Sequence, residues 1–330
     1  MYIKKELLDQ SSRLSMKGEN EEISESTARK MSRSRLLPLT DNLWVLGIYY
    51  FNMYLVCGRN ATALIEMGVS AIADRVIQQL ETLDIAPTYL IIAHPHADHV
   101  TGLEALRARY PDAVVVAGEG AKTFLMHPKA QETMLKEDRF MSNRLSVLGF
   151  RPGRPPISTF EFPDDHIAVR ERHDIDLGGI SLRCVKVGGH SPGNIAVHIP
   201  EISALMVSDS LGFHFPGQEL LPLFLTNFSD YIDTIDYLKS FNPHILGLAH
   251  QGPLMGLAAR NAFGLSRRAA FDMLSRVMNE EKKTDELAEE IFNECYRNEF
   301  TLYSEENIRS VGHLLVRRGR ETLVTRRYSP

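Results

Sequence analysis

From residue 36 onwards the chain alternates short apolar runs with amphipathic stretches. LLPLTDNLWVLG, NMYLVCG and ATALIEMG are punctuated by Gly, Asn and Asp, which predicts successive strands joined by turns. AIADRVIQQLETLD then spaces its apolar residues as a helix does. YLIIAH predicts a short buried strand, TGLEALRARY a helix and AVVVAG the next buried strand. The second half repeats the pattern: GISLRCVKV, NIAVHIP and ALMVSD as strands, YIDTIDYLKSF as a helix and HILGLAH as a last strand. Strand and helix in alternation predict an α/β layout. Between the halves lie about 50 residues that include FRPGRPPISTFEFPDD, whose Pro and Gly content predicts an insertion or covering loop.

The two ends differ from this middle. Residues 1–35 are polar and charge-mixed, with the serine-rich run ISESTARKMSRSR, and read as a flexible extension outside the fold. After residue 255 the strands stop. GLAARNAFGLSRRAAFDMLSRVMNEEKK, DELAEEIFNECYRN and SEENIRSVGHLLVRRGR are helical patterns, with Ser304 placed to cap the last. The expected organisation is an extension (1–35), a catalytic domain (36–255) and a C-terminal helical extension (256–330).

Composition narrows the function classes. The formal net charge of −5 disfavours a protein built to hold nucleic acid. No apolar run approaches the roughly 20 residues of a membrane helix, and MYIKKELLDQSSRLSMKGENEE has no apolar stretch of the secretory kind. Cys57, Cys184 and Cys295 are few, odd in number and far apart, which fits reduced thiols in a cytoplasm. Cys57 and Cys184 fall in strand-like runs and read as core residues.

The chemistry concentrates in AHPHADHVTG, residues 93–102. His94 and His96 are two apart at a strand end, so in extended backbone both imidazoles project the same way. Pro95 between them opposes helix. Asp98 and His99 then enter the first turn of the next helix, over the crevice where open α/β folds place ligands. The two histidines can serve one metal and the Asp/His pair a second one nearby. Other strand ends offer further donors: His190 in VGGHSPGN, Asp209 after ALMV and His250 in LAHQG. A lone histidine at a strand end is more often a hydrogen-bonded surface residue, and each of these alone has that plainer reading. Together they suit zinc, iron or manganese.

HPHADH, GGHSPGN, VSDS and LAHQG resemble, in that order, the motifs of the metallo-β-lactamase superfamily, over residues from about 36 to 255. The resemblance implies a four-layer αββα sandwich with a C-terminal helical extension and a dinuclear site between two sheets. It implies His94, His96 and His190 on one metal, Asp98, His99 and His250 on the other, and Asp209 bridging. The implied cofactors are two divalent transition-metal ions, zinc first, with iron or manganese as alternatives. A hydroxide between two cations is a strong nucleophile near neutral pH, and the same cations polarise a carbonyl. Asp98 is the candidate catalytic group, orienting that nucleophile or moving its proton. Glu66 stands in LIEMGVS, where the superfamily often has Asp; it reads as a group steadying the ligand loops or as a solvated turn carboxylate. Ala249 and Gln251 replace the usual neighbours of the last histidine.

The long helical tail resembles glyoxalase II-like thioesterases. Glu66-x-Gly68-Val69-Ser70 and Asp209-x-Leu211-Gly212 are similar to the thioesterase-like branch of alkylquinolone signalling. The expected activity is therefore hydrolysis of a thioester or related ester, on a small-molecule acyl substrate. In LGFHFPGQELLPLFLTNF, Phe213 and His214 are the candidates for a substrate wall. Alternatives are a ribonuclease or phosphodiesterase using the same ions, and a regulatory protein acting through a partner surface on the C-terminal helices. The basic run RRGRETLVTRR lacks interleaved aromatics and reads as a solvated face. Arg260, Arg267 and Arg268 are candidates to meet a phosphate-bearing thioester carrier, and the apolar tail helices allow a homodimer. No membrane partner is expected.

Overall fold

Strand β2 (Leu43–Ile48) shows how the layers arise. Leu43 and Val45 pack into one apolar cluster, while Trp44, Leu46 and Ile48 pack into another. A period of two sends alternate side chains to opposite faces, so a strand buried on both sides feeds two cores. The first cluster lies between two sheets, joining Val56, Ile65 and Ile91 to Leu182, Cys184, Val197 and Met206. The second joins the outer faces to helices, with Leu64, Leu90 and Ile92 alongside Val76, Leu80 and Leu106.

The computed structural model describes residues 36–328, with side chains to residue 322. The extension expected over residues 1–35 lies outside the described residues. The first sheet runs in chain order from β1 (Leu37–Thr40) through β2, β3 (Phe51–Cys57), β4 (Thr62–Ile65), β5 (Tyr89–Ile92) and β6 (Val114–Gly118) to β7 (Ile167–Val169). It is antiparallel as far as β4 and parallel from β4 to β7. The second sheet has β8 (Arg172–Asp176), β9 (Ser181–Lys186), β10 (Ile195–Ile199), β11 (Ala204–Met206), β12 (Ile245–Gly247) and β13 (Leu254–Met255) in sequential order. Only its β11–β12 pair is parallel.

Helices α1 (Ser70–Thr82), α2 (Ala97–Val100), α3 (Leu103–Arg109), α4 (Ala121–Leu125) and α5 (Pro128–Val147) accompany the first sheet in sequence. Then come α6 (Phe228–Lys239), α7 (Leu257–Asn279), α8 (Thr284–Cys295) and α9 (Glu305–Tyr328). This is the αββα arrangement with C-terminal helices. As expected, Ser304 caps α9, its Oγ accepting from Asn307 N at 3.1 Å.

One expectation fails in the stretch between the halves. Its first part is not loop but the 20-residue helix α5. The inward face of α5 carries Glu137 and Asp138 beside Met134, Met141 and Leu145, so buried carboxylates break its apolar stripe. Asp138 accepts from Ser70 N at 3.0 Å, Ser70 Oγ at 2.6 Å, Thr101 Oγ1 at 2.6 Å and Ile157 N at 3.0 Å. A buried carboxylate holding four donors fastens α5 to the loops after β4 and α2.

Cys184 is buried between the sheets, Cys57 is half-buried, and all three cysteines are free. Among the described residues, no helix is long and apolar enough to cross a membrane.

Candidate functional site

The parallel pairs β4–β5 and β11–β12 bring like strand ends together, and the loops leaving those ends carry the chemistry. Glu66 follows β4, His94 and His96 follow β5, Asp209 follows β11 and His250 follows β12. His96 is the extended residue before α2, whose first turn bears Asp98 and His99. The loop after β9 adds His190. Gly189 there has φ +86°, and a Cβ on it would sit 2.3 Å from the Tyr231 backbone, so only glycine lets the loop lie on α6. Bonds between the sheets fix the rim: Ile195 N donates to Ala93 O at 2.8 Å, Asn52 N to Ala249 O at 2.7 Å and Tyr54 Oη to Leu248 O at 2.6 Å. Glu66, Ser208 and Gln251 hold left-handed backbone (φ 73°, 51° and 64°). Such strain collects where a fold must aim side chains.

The expected donors converge in two groups. Facing atoms of His94, His96 and His190 lie within 4.8 Å of one another, as do those of Asp98, His99, Asp209 and His250. Asp209 lies between the groups, its Oδ2 3.8 Å from His94 Nε2 and 3.4 Å from His99 Nε2, its Oδ1 3.4 Å from His250 Nε2. Asp98 Oδ2 is 3.2 Å from His99 Nε2 and 3.5 Å from His250 Nε2. Four of the five rings are aimed from behind. His99 Nδ1 donates to Glu66 Oε2 at 2.9 Å, His250 Nδ1 to Tyr50 O at 2.8 Å and His190 Nδ1 to Leu223 O at 3.2 Å, while His94 Nδ1 lies 3.1 Å from Ser208 Oγ. Acceptors behind the rings of His99, His190 and His250 keep a proton on Nδ1 and turn Nε2 towards the cluster.

These residues fit a metal. The buried Nε2 atom of His190 has no hydrogen-bond partner, and Nε2 of His99 faces Asp98 and Asp209 at 3.2 and 3.4 Å. A buried polar atom without a partner is costly, and an ion satisfies it. His94 Nε2 and His96 Nδ1 face each other at 3.1 Å, two nitrogens converging on one point.

The groups differ electrically. Burial, with neighbouring His99, His96 and His190, holds His94 well below the usual imidazole range. Burial also pulls His96 down to about 3 and lowers His190. At His99 burial works downward too, but Asp98, Glu66 and Asp209 outweigh it and raise the ring well above its ordinary value. His250 is raised in the same way against its burial, mainly by Asp209 and Asp98. Burial pushes Asp98 upward, yet His99 and His250 win and take it to about 2; Asp209 is driven well below the carboxylate range by the same two rings.

A cavity of about 440 Å³ opens onto the cluster. His96, Asp98, His190 and Asp209 bring the cluster into its wall, with Lys129, Glu137 and Asn307 among the further polar lining; Phe124, Met134, Met141, Leu225, Val311 and Leu314 supply apolar surface from α4, α5, α9 and the loop before α6. Phe213 lines this cavity, but His214 does not. The next side chain along turns away, and His214 Nε2 lies 3.2 Å from Leu211 O and 3.0 Å from Ser266 Oγ on α7. Arg260, Arg267 and Arg268 are exposed and absent from the cavity lining, and Arg267 pairs with Asp236 at 3.3 Å. In the basic run, Arg318 donates to Leu225 O at 3.1 Å and to Glu321, while Arg320 bonds Thr284 and Lys282 O.

Sequence reasoning missed Tyr303, whose hydroxyl donates to Asp98 Oδ2 at 3.0 Å. It also missed Ser208 behind His94 and the cavity walls from α5 and α9. Ser208, one residue before Asp209, was open to notice, because ring nitrogens at such sites need an outer partner. Tyr303 stands in LYSEEN with no local mark of chemistry.

The metallo-β-lactamase superfamily model matches residues 48–250. A metallo-β-lactamase fold-containing protein of Sulfurisphaera tokodaii is 27% identical over 203 residues, 61% of this chain and 72% of the relative. A hydroxyacylglutathione hydrolase of Ruegeria pomeroyi is 32% identical over 120 residues, 36% of this chain and 32% of that protein. The chain thus spans about a third of that enzyme's length. Among solved structures, a β-lactamase domain protein of Burkholderia ambifaria shares the fold with TM-score 0.63, at 16% identity, over 88% of this chain and 89% of that one. The family match spans every donor segment from Glu66 to His250, and the chain belongs to the metallo-β-lactamase superfamily.

Proposed function

We propose that this chain is a metal-dependent hydrolase that cleaves a thioester or related ester of a small, largely apolar acid. The cavity carries this reading: its volume of about 440 Å³ suits a small organic ligand, and its apolar walls end on the histidine and aspartate cluster. An acyl or aryl group lodged among Met134, Met141 and Val311 would stop with its carbonyl beside His96, Asp98 and Asp209. The hydroxyacylglutathione hydrolases of Ruegeria pomeroyi and Haemophilus influenzae, at 32% and 29% identity, support ester-type chemistry over phosphodiester cleavage.

The donor set suits two divalent ions, zinc first, with iron or manganese as alternatives. His94, His96 and His190 would hold one, and Asp98, His99 and His250 the other, with Asp209 shared. Bound there, such ions supply an acidified water and a Lewis acid for the carbonyl. The chain's own residues do the rest. Asp209 would keep the two groups in register, because its oxygens lie 3.4 to 3.8 Å from rings of both. Asp98, on the cavity wall, is placed to take a proton and pass it to the leaving group. The apolar walls keep bulk water from the carbonyl.

The test is turnover of thioesters of graded acyl length by protein loaded with zinc, iron or manganese, beside bis-p-nitrophenyl phosphate. Thioester turnover should dominate and depend on the metal. Faster phosphodiester cleavage would overturn the reading in favour of a nuclease-type enzyme.

A further inference from the structure

The segment between α8 and α9 brings Tyr303 to the cluster. Tyr303 follows the 3-10 turn Asn298–Leu302 and precedes α9, and it is 3% exposed. A buried tyrosine hydroxyl needs an acceptor. This one donates to Asp98 Oδ2 at 3.0 Å and lies 3.4 Å from His250 Nε2. Asp98 Oδ2 is the oxygen that approaches both His99 and His250, so the hydroxyl bonds the edge of the carboxylate that faces the second group.

The main chain around Tyr303 is clamped. Ser304 N donates to Glu137 Oε2 at 3.2 Å, Ser304 Oγ donates to Glu137 Oε1, and Asn307 Nδ2 adds a bond to Glu137 Oε2 at 3.3 Å. Tyr296 Oη donates to Tyr303 O at 3.0 Å. The Tyr303 ring stacks on Phe213, with centroids 5.7 Å apart and planes at 28°. Both the ring and the backbone are therefore set independently of the bond to Asp98. Unlike the rings of His99 and His250, which are aimed from behind by Glu66 and Tyr50 O, Asp98 receives its side-chain donor from the far end of the chain.

We propose that Tyr303 is a positioning residue of the second donor group: its hydroxyl holds the Asp98 carboxylate in the orientation a divalent ion requires, and the Glu137–Ser304 clamp sets that hydroxyl. The C-terminal extension is then part of the metal site and not only a wall of the cavity. This rests on the two-ion reading above.

The test uses the full chain and zinc alone, titrated against a chromophoric chelator to obtain two dissociation constants, assigned to the groups with His190→Ala and His250→Ala. Tyr303→Phe keeps the ring on Phe213 and removes the hydroxyl. It should weaken zinc at the second group by about 10- to 100-fold and leave the first within about twofold, with the melting temperature unchanged. Glu137→Gln should weaken the same group by less. Unchanged constants in Tyr303→Phe would overturn the inference while the two-ion reading stands. So would a lowered melting temperature with both constants weakened together, since that marks a packing role. If Tyr303→Phe fails to fold, the Glu137→Gln constants decide by the same criterion. A parent chain that binds no zinc would overturn both readings.

Discussion

The two donor groups stand side by side on the same strand ends, yet they are built on opposite electrical principles. His94, His96 and His190 are imidazoles alone, backed by a hydroxyl and a carbonyl, and burial keeps them neutral. His99 and His250 sit among Asp98, Asp209 and, behind His99, Glu66, and these carboxylates raise both rings above the ordinary imidazole value despite burial. The first group offers lone pairs at once. The second favours protons more strongly, and an ion entering it competes with them.

Asp209→Asn should do most to erase the difference, because Asp209 is the carboxylate that meets both groups. Hydrolysis should fall by more than the roughly 100-fold that losing an outer partner costs, with metal content reduced, as turnover assays and elemental analysis on the same preparation would register. The outer partners come next. Glu66→Gln should weaken zinc at the second group by about 10- to 100-fold, and Ser208→Ala, whose hydroxyl lies 3.1 Å from His94 Nδ1 and 3.5 Å from His99 Nδ1, should weaken chiefly the first group and by less, since a carboxylate polarises its ring more than a hydroxyl does. Chelator competition separates the two, and equal losses would dissolve the comparison.

Acidity should separate the groups as well. His99 and His250 titrate above the ordinary imidazole value of 6.5, so as pH falls towards that value protons compete progressively harder for the second group. His94, His96 and His190 are held below it, so protons compete less for the first. Zinc affinity should therefore fall with pH more steeply at the second group than at the first. The smallest effect lies outside both. Burial pulls His214 down to about 4, so the unfolded chain binds its proton more readily than the folded one. His214 therefore costs stability as pH falls from 6.5 towards 4, and His214→Gln should flatten that part of a melting-temperature profile without altering metal content.

The contrast between the groups was only partly legible in the sequence. The donors could be read because each ends an apolar strand, and a strand end in an α/β fold has a predictable address. Glu66 could be placed but not decided between a loop-steadying group and a solvated carboxylate; only its 2.9 Å approach to His99 distinguishes them. Helix α5 was hidden because Glu137 and Asp138 occupy its buried face, and a periodicity argument counts them as exposed. Tyr303 was out of reach for another reason: 205 residues separate it from Asp98, and no local pattern encodes a contact of that span. His214 went wrong through a single step of backbone, since its neighbour Phe213 points to the cavity and it points to α7. Motifs disclose donors; packing decides what stands behind them.

The most direct test of the account is the metal content of the chain purified without added metal or chelator, by elemental mass spectrometry against protein concentration. The account predicts about two transition-metal ions per chain. Essentially none, even after reconstitution with zinc, iron and manganese in turn, would contradict it.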